Sequence, residues 1–426
     1  MRAKVNAIFS DNTELYRLWN SLSLIMGRVL ASSLGFITNL FTARLYAPAE
    51  VGISSGIVSA MMLCVQIALV GVGAAVISVY PRHKDQASKV INVGLNIIIL
   101  TALLTALAFF ILSLFVFREL SIISRTLPYS LLFFGITLFG TVNVYLDHVW
   151  IVLRRTSQVL VRNMIFGLVT IAGVSLMPIF TGQRDSMTII LAWCLAGLTA
   201  CAVGMVQLHH SLDNYAYRFE INRALGGELI RVGLPNYLLT LTERAPNWIM
   251  PILVTELLSP TDNAVWYNVW MMAWVVFIIP ISVGQNLFAD VAHDPDELRA
   301  SLQRSNRTSV WLGTMAAIGT ISLAWFMLSL LGPTYANHGV LPLRILVLAI
   351  YPVISIQTYF AVCRGRLTLT EAILTGLISG TVSLVAAVTI GLRFGLIGMA
   401  STWLVTQFAA GAWALLRLRV LTQHTR

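Results

Sequence analysis

The stretch Ile91–Phe117, INVGLNIIILTALLTALAFFILSLFVF, decides the fold. It contains no charged side chain, and about 20 apolar residues in a helix suffice to cross a hydrocarbon core of roughly 30 Å. Comparable runs lie at about 21–43, 53–79, 127–150, 159–180 and 188–208, and again at about 232–254, 264–289, 309–331, 341–363, 370–392 and 396–416. Of 426 residues, 57% are hydrophobic and 11% charged, with a mean hydropathy of +0.80. An ordinary soluble domain carries roughly 25% charged residues, so this chain lacks the polar exterior a soluble fold needs. The expected fold class is all-α integral membrane, with about twelve transmembrane helices.

A net charge of +10 would suit nucleic acid if the basic residues formed one patch. They fall instead in twos and threes between apolar runs, which points to topology and excludes a nucleic-acid partner. Twenty Lys and Arg lie in the tails and in the connections on the same side as the tails. Five, Arg44, Arg118, Arg125, Arg184 and Arg393, lie on the other side, and Arg28, Arg244 and Arg344 fall inside apolar segments. Basic connections are retained in the cytoplasm, so both termini are expected to be cytoplasmic in a multi-pass protein. No small-residue cleavage site follows a short apolar stretch, so the first helix is expected to remain as an anchor. Cys64, Cys194, Cys201 and Cys363 all sit in apolar runs without CxxC spacing and read as packing residues.

The longest hydrophilic interruption, His209 to Arg231, divides the chain into a segment 1–20, a six-helix lobe 21–208, a cytoplasmic linker 209–231, a second six-helix lobe 232–416 and a tail 417–426. Leu45-Tyr46-Ala47-Pro48-Ala49-Glu50 recurs as Leu257-Leu258-Ser259-Pro260-Thr261-Asp262, and Leu127-Pro128 recurs as Leu341-Pro342. The near-constant spacing at matching topological positions indicates duplication. Six helices per half give parallel repeats related by a pseudo-two-fold along the membrane normal, and such lobes enclose a central cavity.

Motif absences narrow the function. GxxxxGK[ST], HExxH, GxSxG and EF-hand patterns do not occur. The connections on the side away from the tails are short and hold no paired carboxylates for a metal and a sugar diphosphate. Gly71-Val72-Gly73 lacks the third glycine of a dinucleotide fingerprint and reads as helix packing. A transporter without cofactor or metal is expected, not an enzyme.

Deep polar residues mark where it works, because a charge at the bilayer centre costs at least ~2.5 kcal/mol. Glu243 and Arg244 are central in the seventh span and point about 100° apart, so each meets a different neighbour. They serve either an interhelical ion pair or a cavity. Asn236, Thr240, Glu243 and Asn247 share one helical face, and Arg28, Ser32, Gly35, Asn39 and Thr42 form the counterpart in the first span. Arg28 either reaches the interface or belongs to this cleft. Arg344, at the start of the tenth span, reads as an interfacial anchor with a substrate-binding role as the alternative. Asp147 and His148 either relay protons or pair with Arg154 or Arg155. Trp266, Trp270 and Trp274 form one aromatic face, suited to stacking on sugar rings or to lipid-facing packing. The candidate substrate-binding set is Arg28, Asn39, Glu243, Arg244, Asn247, Trp270, Trp274 and Arg344, with Asp147 and Glu243 for ion or proton coupling.

Four ordered stretches carry a family resemblance. Ala43-Arg44-Leu45-Tyr46-Ala47-Pro48-Ala49-Glu50-Val51-Gly52 resembles an Ala-Arg-x-x-x-Pro-x-Glu-x-Gly exit from the first helix. Glu243-Arg244 is similar to an Asp-Arg pair in the seventh. Gly332-Pro333-Thr334-Tyr335-Ala336 matches a Gly-x-x-Tyr connection, and Phe394-Gly395-Leu396-Ile397-Gly398-Met399-Ala400 an aromatic-Gly-x-x-Gly-x-Ala entry to the last helix. The chain thus resembles the polysaccharide transporter, or oligosaccharide flippase, family of the multidrug/oligosaccharidyl-lipid/polysaccharide exporter superfamily. Ala264-Val265-Trp266-Tyr267 departs from that family's Gly-x-Tyr, so Trp266 takes no family role. The resemblance implies flipping of an undecaprenyl-diphosphate-linked sugar unit across the bacterial plasma membrane by alternating access. The implied partners are the lipid-linked sugar, membrane lipids, and a polysaccharide polymerase or glycosyltransferases.

Three rivals differ in sequence. Cation-coupled multidrug exporters of the superfamily often carry an acidic residue in the first helix, where this chain has Arg28. A major facilitator transporter would show Gly-x-x-x-Asp-Arg-x-Gly at Tyr80 to Lys89, which is absent. A membrane glycosyltransferase or polymerase would need longer outer connections.

Overall fold

A computed structural model of the protein describes residues 33–212, 215–220, 222–293 and 298–423, and among them every regular element is a helix. The first half comprises α1 (33–45), α2 (Pro48–Ala68), α3 (Val72–Val79), α4 (Ala87–Phe115), the short α5 (Ile122–Arg125), α6 (Leu127–Val152), α7 (Thr156–Thr181) and α8 (Ser186–Ser211). The second comprises α9 (Arg223–Leu257), α10 (Pro260–His293), α11 (Leu298–Leu331), α12 (Pro333–Val347), α13 (Ile350–Gly365), α14 (Leu369–Thr389) and α15 (Gly395–Gln423).

Among the described residues, nine helices are long and apolar enough to cross a membrane, or ten if α12 and α13, bent by 44°, form one span. The expected twelve correspond to these ten, to α9, and to a first span that lies partly outside the described residues. With 35 residues α9 is long enough, but Glu228, Arg231, Glu243 and Arg244 keep it too polar for the same test. It starts at Arg223, inside the stretch read as linker.

Helix starts follow local chemistry. Helices α2, α10 and α12 open on Pro48, Pro260 and Pro333, where the fixed φ suits a first turn and the missing N–H has no partner to lose. Ser259 caps α10: its hydroxyl accepts from the Asp262 amide at 3.0 Å and donates to the Asp262 carboxylate at 2.7 Å. Helices α2 and α3 separate because Val70 and Gly71 have φ of 45° and 78°. A side chain at Gly233 would lie 2.1 Å from the Gly71 carbonyl oxygen, so two glycines let these backbones touch.

The chain forms two compact units. The first holds 1–45, 64–116 and 121–234. At its centre α6 packs against α3, α4 and α8, while α7 lies along α8. The segment after α8 is stitched to the start of α4. The Tyr215 hydroxyl donates to Asn92 at 2.9 Å, the Asn92 amide donates to the Ala216 carbonyl at 3.1 Å, and the Asn96 amide donates to the Glu220 carbonyl at 3.0 Å.

The second unit holds 46–63, 117–120 and 235–426. Here α10 contacts α11, α12 and α13, and α15 packs on α12, α13 and α14. Its core includes Leu239, Leu287, Tyr359, Phe360, Val362 and Ala414. On α11, Trp311, Met315, Ile318 and Trp325 are exposed along one helical face. A soluble protein would bury such a stripe, and a bilayer covers it.

Candidate functional site

Helix α9 runs unbroken through Pro235, Pro246 and Pro251, so the spacing of Asn236, Thr240, Glu243 and Asn247 does place them on one face. Asn236 is exposed, Thr240 and Glu243 are half-buried, and Asn247 is buried. On α1, Gly35 is open, Asn39 half-buried and Thr42 buried, with the Thr42 hydroxyl donating to the Thr38 carbonyl at 2.7 Å. Each stripe therefore passes from exposed at its N-terminal end to buried at its C-terminal end. Arg28 and Ser32 lie outside the described residues.

Glu243 does not meet Arg244. Its carboxylate accepts from Arg364 Nη2 at 2.9 Å, and that nitrogen also lies 3.5 Å from the Thr240 hydroxyl. Sequence counting had placed Arg364 in a connection, whereas α13 extends to Gly365 and carries it inward. The other carboxylate oxygen of Glu243, Oε1, is buried without a hydrogen-bond partner among the described residues. Arg244 is exposed, and no carboxylate lies within ion-pair distance of it among the described residues.

Asp147 pairs with neither Arg154 nor Arg155. Its partner is Arg162 of α7, which is 1% exposed and also donates to the Asn143 carbonyl at 2.9 Å. Asp147 and Arg162 are equidistant from the turn at 154–155, so the α6–α7 hairpin sets them at one depth. That symmetry was available in the sequence. Arg162 Nε and Nη1 have no partner among the described residues, and His148 Nδ1 bonds the Val144 carbonyl at 2.8 Å.

A third pair escaped notice: Arg417 of α15 grips Glu371 of α14 through two bonds of 2.6 and 2.8 Å, and the Tyr359 hydroxyl donates to Glu371 at 3.0 Å. The bidentate fork ties the two helices together.

Trp270 is 3% exposed, stacked on Trp266 at 5.8 Å and edge-on to Trp403 at 5.0 Å. These contacts and its burial place Trp270 in the core of the second unit, with one ring face on Trp266. Trp274 is half-buried, edge-on to Phe277 at 6.5 Å. Arg344 is exposed and lies within its helix, not at its start. Because α12 begins at Pro333 instead of 341, Arg344 lies about 16 Å along it at 1.5 Å per residue, and its Nε donates to the Ile321 carbonyl of α11 at 3.3 Å.

Among the described residues no three His, Cys, Asp or Glu side chains converge as a metal site would require. A groove of about 670 Å³ lies between the start of α7 and the end of α8, lined by Gln158, Ala202, Val203, Val206, Gln207 and His210. It contains none of the residues singled out from the sequence.

A model of the family described as polysaccharide biosynthesis protein matches residues 18–285, more than half of the chain. No curated protein matches the sequence. Among solved structures, an inward-facing multidrug resistance MATE family transporter of the MOP superfamily aligns with a TM-score of 0.71 at 13% identity, over 93% of this chain and 96% of that one. The lipid II flippase MurJ in an inward closed conformation aligns with a TM-score of 0.71 at 12% identity, over 93% of this chain and 87% of that one. A MOP superfamily transporter from Pyrococcus furiosus, described as having a binding pocket of reverse polarity, gives 0.62 at 13% identity, over 94% and 95%. Identities this low establish the shared fold. The chain belongs to the polysaccharide biosynthesis protein family, and its fold is that of the MOP superfamily transporters.

Proposed function

We propose that the protein is a flippase moving a lipid-diphosphate-linked oligosaccharide across the bacterial plasma membrane by alternating access. It is a transporter in this reading, not an enzyme, with its termini in the cytoplasm. Family and fold support transport. The observation that favours an anionic substrate is the charge balance within the helices: Glu243 in the second unit and Asp147 in the first are each held by an arginine, while Arg244 is exposed and lacks a carboxylate partner among the described residues. A cation exporter needs the opposite, a free deep carboxylate. A guanidinium offers a planar fork that matches a diphosphate.

Arg28 joins Arg244 in contacting the diphosphate, with Asn39 and Asn247 contacting the sugar. Asp147, and Glu243 with its unpartnered oxygen, are the candidates for proton coupling. The membrane potential contributes as well, since one negative charge moving outward through 100 mV releases about 2.3 kcal/mol. A polysaccharide polymerase or glycosyltransferases act on either side of this step. The charge count still supports the orientation: with Arg162 and Arg364 moved inside, eighteen basic residues face five.

Deletion of the gene tests the reading. Lipid-linked glycan should accumulate on the cytoplasmic leaflet with drug sensitivity unchanged. Hypersensitivity to cationic dyes with normal surface glycan would instead establish the exporter reading.

A further inference from the structure

Segments 46–63 and 117–120 belong to the first half of the sequence yet pack within the second unit. Three contacts hold them there. Glu256, in the last turn of α9, accepts from three successive backbone amides: Arg118 at 2.6 Å, Glu119 at 3.1 Å and Leu120 at 2.7 Å. Gly52 lies against the start of α10 so closely that a Cβ there would sit 1.6 Å from the Pro260 carbonyl oxygen. Asn263, fully buried, donates to the Gly52 carbonyl at 2.9 Å. All three fall on the face bearing the α1–α2, α4–α5 and α9–α10 connections, which the charge bias makes the outer one.

We infer that Glu256 is the releasable tie of an outer gate, and that Gly52 on Pro260 is the surface that closes with it. The inference rests on the transporter reading. A carboxylate cradled by consecutive amides is held firmly while the gate is shut. When the gate opens, both the carboxylate and the amides regain hydrogen bonds from water, so the contact is reversible in a way that a buried apolar plug is not. Arg118 donates its backbone amide to Glu256, while its side chain is 91% exposed and lies 3.8 Å from the Glu119 carboxylate. The gate also gives a reason for the glycine in the Pro48-Ala49-Glu50-Val51-Gly52 motif: any other residue strikes the Pro260 backbone. In the first unit, Gly71, just past the end of α2, and Gly233, in the N-terminal part of α9, make another close backbone contact, which supplies a counterpart for the test.

The experiment uses the full chain with its four cysteines replaced by serine and one reporter, Asn247→Cys, which is buried on α9 about 13 Å from Glu256 at 1.5 Å per residue. A membrane-impermeant maleimide is added to intact cells, and labelling is normalised to protein level. Glu256→Ala and Gly52→Leu should each raise the labelling rate about tenfold or more, Arg118→Ala should leave it unchanged, and Gly233→Leu should lower it. Unchanged labelling in Glu256→Ala at normal protein level, or an equal rise in Arg118→Ala, would overturn the gate. If Gly52→Leu fails to reach the membrane, Gly52→Ser and Asn263→Ala serve as the second arm, with the same rise expected and no rise counting against the gate. Labelling enhanced only in inverted vesicles would also overturn the outer assignment. Glycan flipping is measured separately, on the chain that keeps Asn247: accessibility that shifts as expected in the reporter, with no lipid-linked glycan moved by the chain that keeps Asn247, sustains the gate and refutes the substrate.

Discussion

The Asp147–Arg162 pair makes an asymmetric prediction about stability. Arg162 is the more deeply placed partner, at 1% exposed against 31% for the Asp147 side chain, and a guanidinium cannot shed its charge by deprotonation. Asp147→Asn therefore strands a buried cation, which costs about 3–5 kcal/mol. Arg162→Leu strands a carboxylate that is nearer solvent and able to take up a proton. It also removes two buried donors, Nε and Nη1, that have no partner among the described residues, and each such donor costs on the order of 1–3 kcal/mol. These effects oppose one another, leaving a net loss of about 1 kcal/mol. The double variant should resemble Arg162→Leu, because the asparagine then faces no charge, giving a coupling of roughly 3–5 kcal/mol, the whole cost of Asp147→Asn. The assay is thermal unfolding of the purified protein in lipid nanodiscs, followed by tryptophan fluorescence. At about 2–4 °C per kcal/mol for a unit of this size, Asp147→Asn should lower the midpoint on the order of 10 °C and Arg162→Leu only a few degrees. A greater loss in Arg162→Leu than in Asp147→Asn, or a double variant worse than Asp147→Asn alone, would refute the reasoning.

Other outcomes are equally specific. Arg28→Ala and Arg244→Ala should abolish glycan flipping at near-normal protein level, with lysine rescuing only in part because it lacks the bidentate fork; full transport by the double alanine variant would remove both from the site. Arg364→Ala should lower the protein level by leaving Glu243 unpaired, and Glu243→Gln with Arg364→Gln should restore it; immunoblotting of membranes decides. A cysteine at exposed Arg218 should react from the cytoplasm only, a better topology probe than buried Tyr215. Burial, with Tyr217 beside it, pushes the Tyr215 phenol well above the usual range. Its stabilising contribution is therefore complete below about pH 10 and fades as pH rises further, so Tyr215→Phe should flatten the alkaline end of a stability profile.

Hydropathy made the spans legible because a bilayer demands long apolar runs, and the polar face of α9 was legible because helical period survives its prolines. Partners were harder to read. Arg364 looks like a loop cation when its helix is ended at the last apolar residue, yet α13 continues past that point and turns the side chain inward. Arg162 lies in the first turn of the 159–180 span and counts with the connection only because it sits so near the helix start. The burial of Trp270 was not legible for a related reason: periodicity identifies a face but not what lies against it, and Trp403, 133 positions away, is one such neighbour. The depth of Arg344 was missed because Pro333 and Pro342 both look like helix starts, and the structure opens α12 on the first.

The prolines of α9 have a mechanical consequence. Pro235, Pro246 and Pro251 offer no amide to the carbonyls of Arg231, Thr242 and Asn247, four residues earlier. The helix therefore lacks three of its axial bonds, and its flexural stiffness is lowest where they are missing. Two of those soft points fall at Thr242–Pro246 and Asn247–Pro251, so the helix that carries the polar face is also weakened against bending along that stretch, and a bend there displaces Arg244.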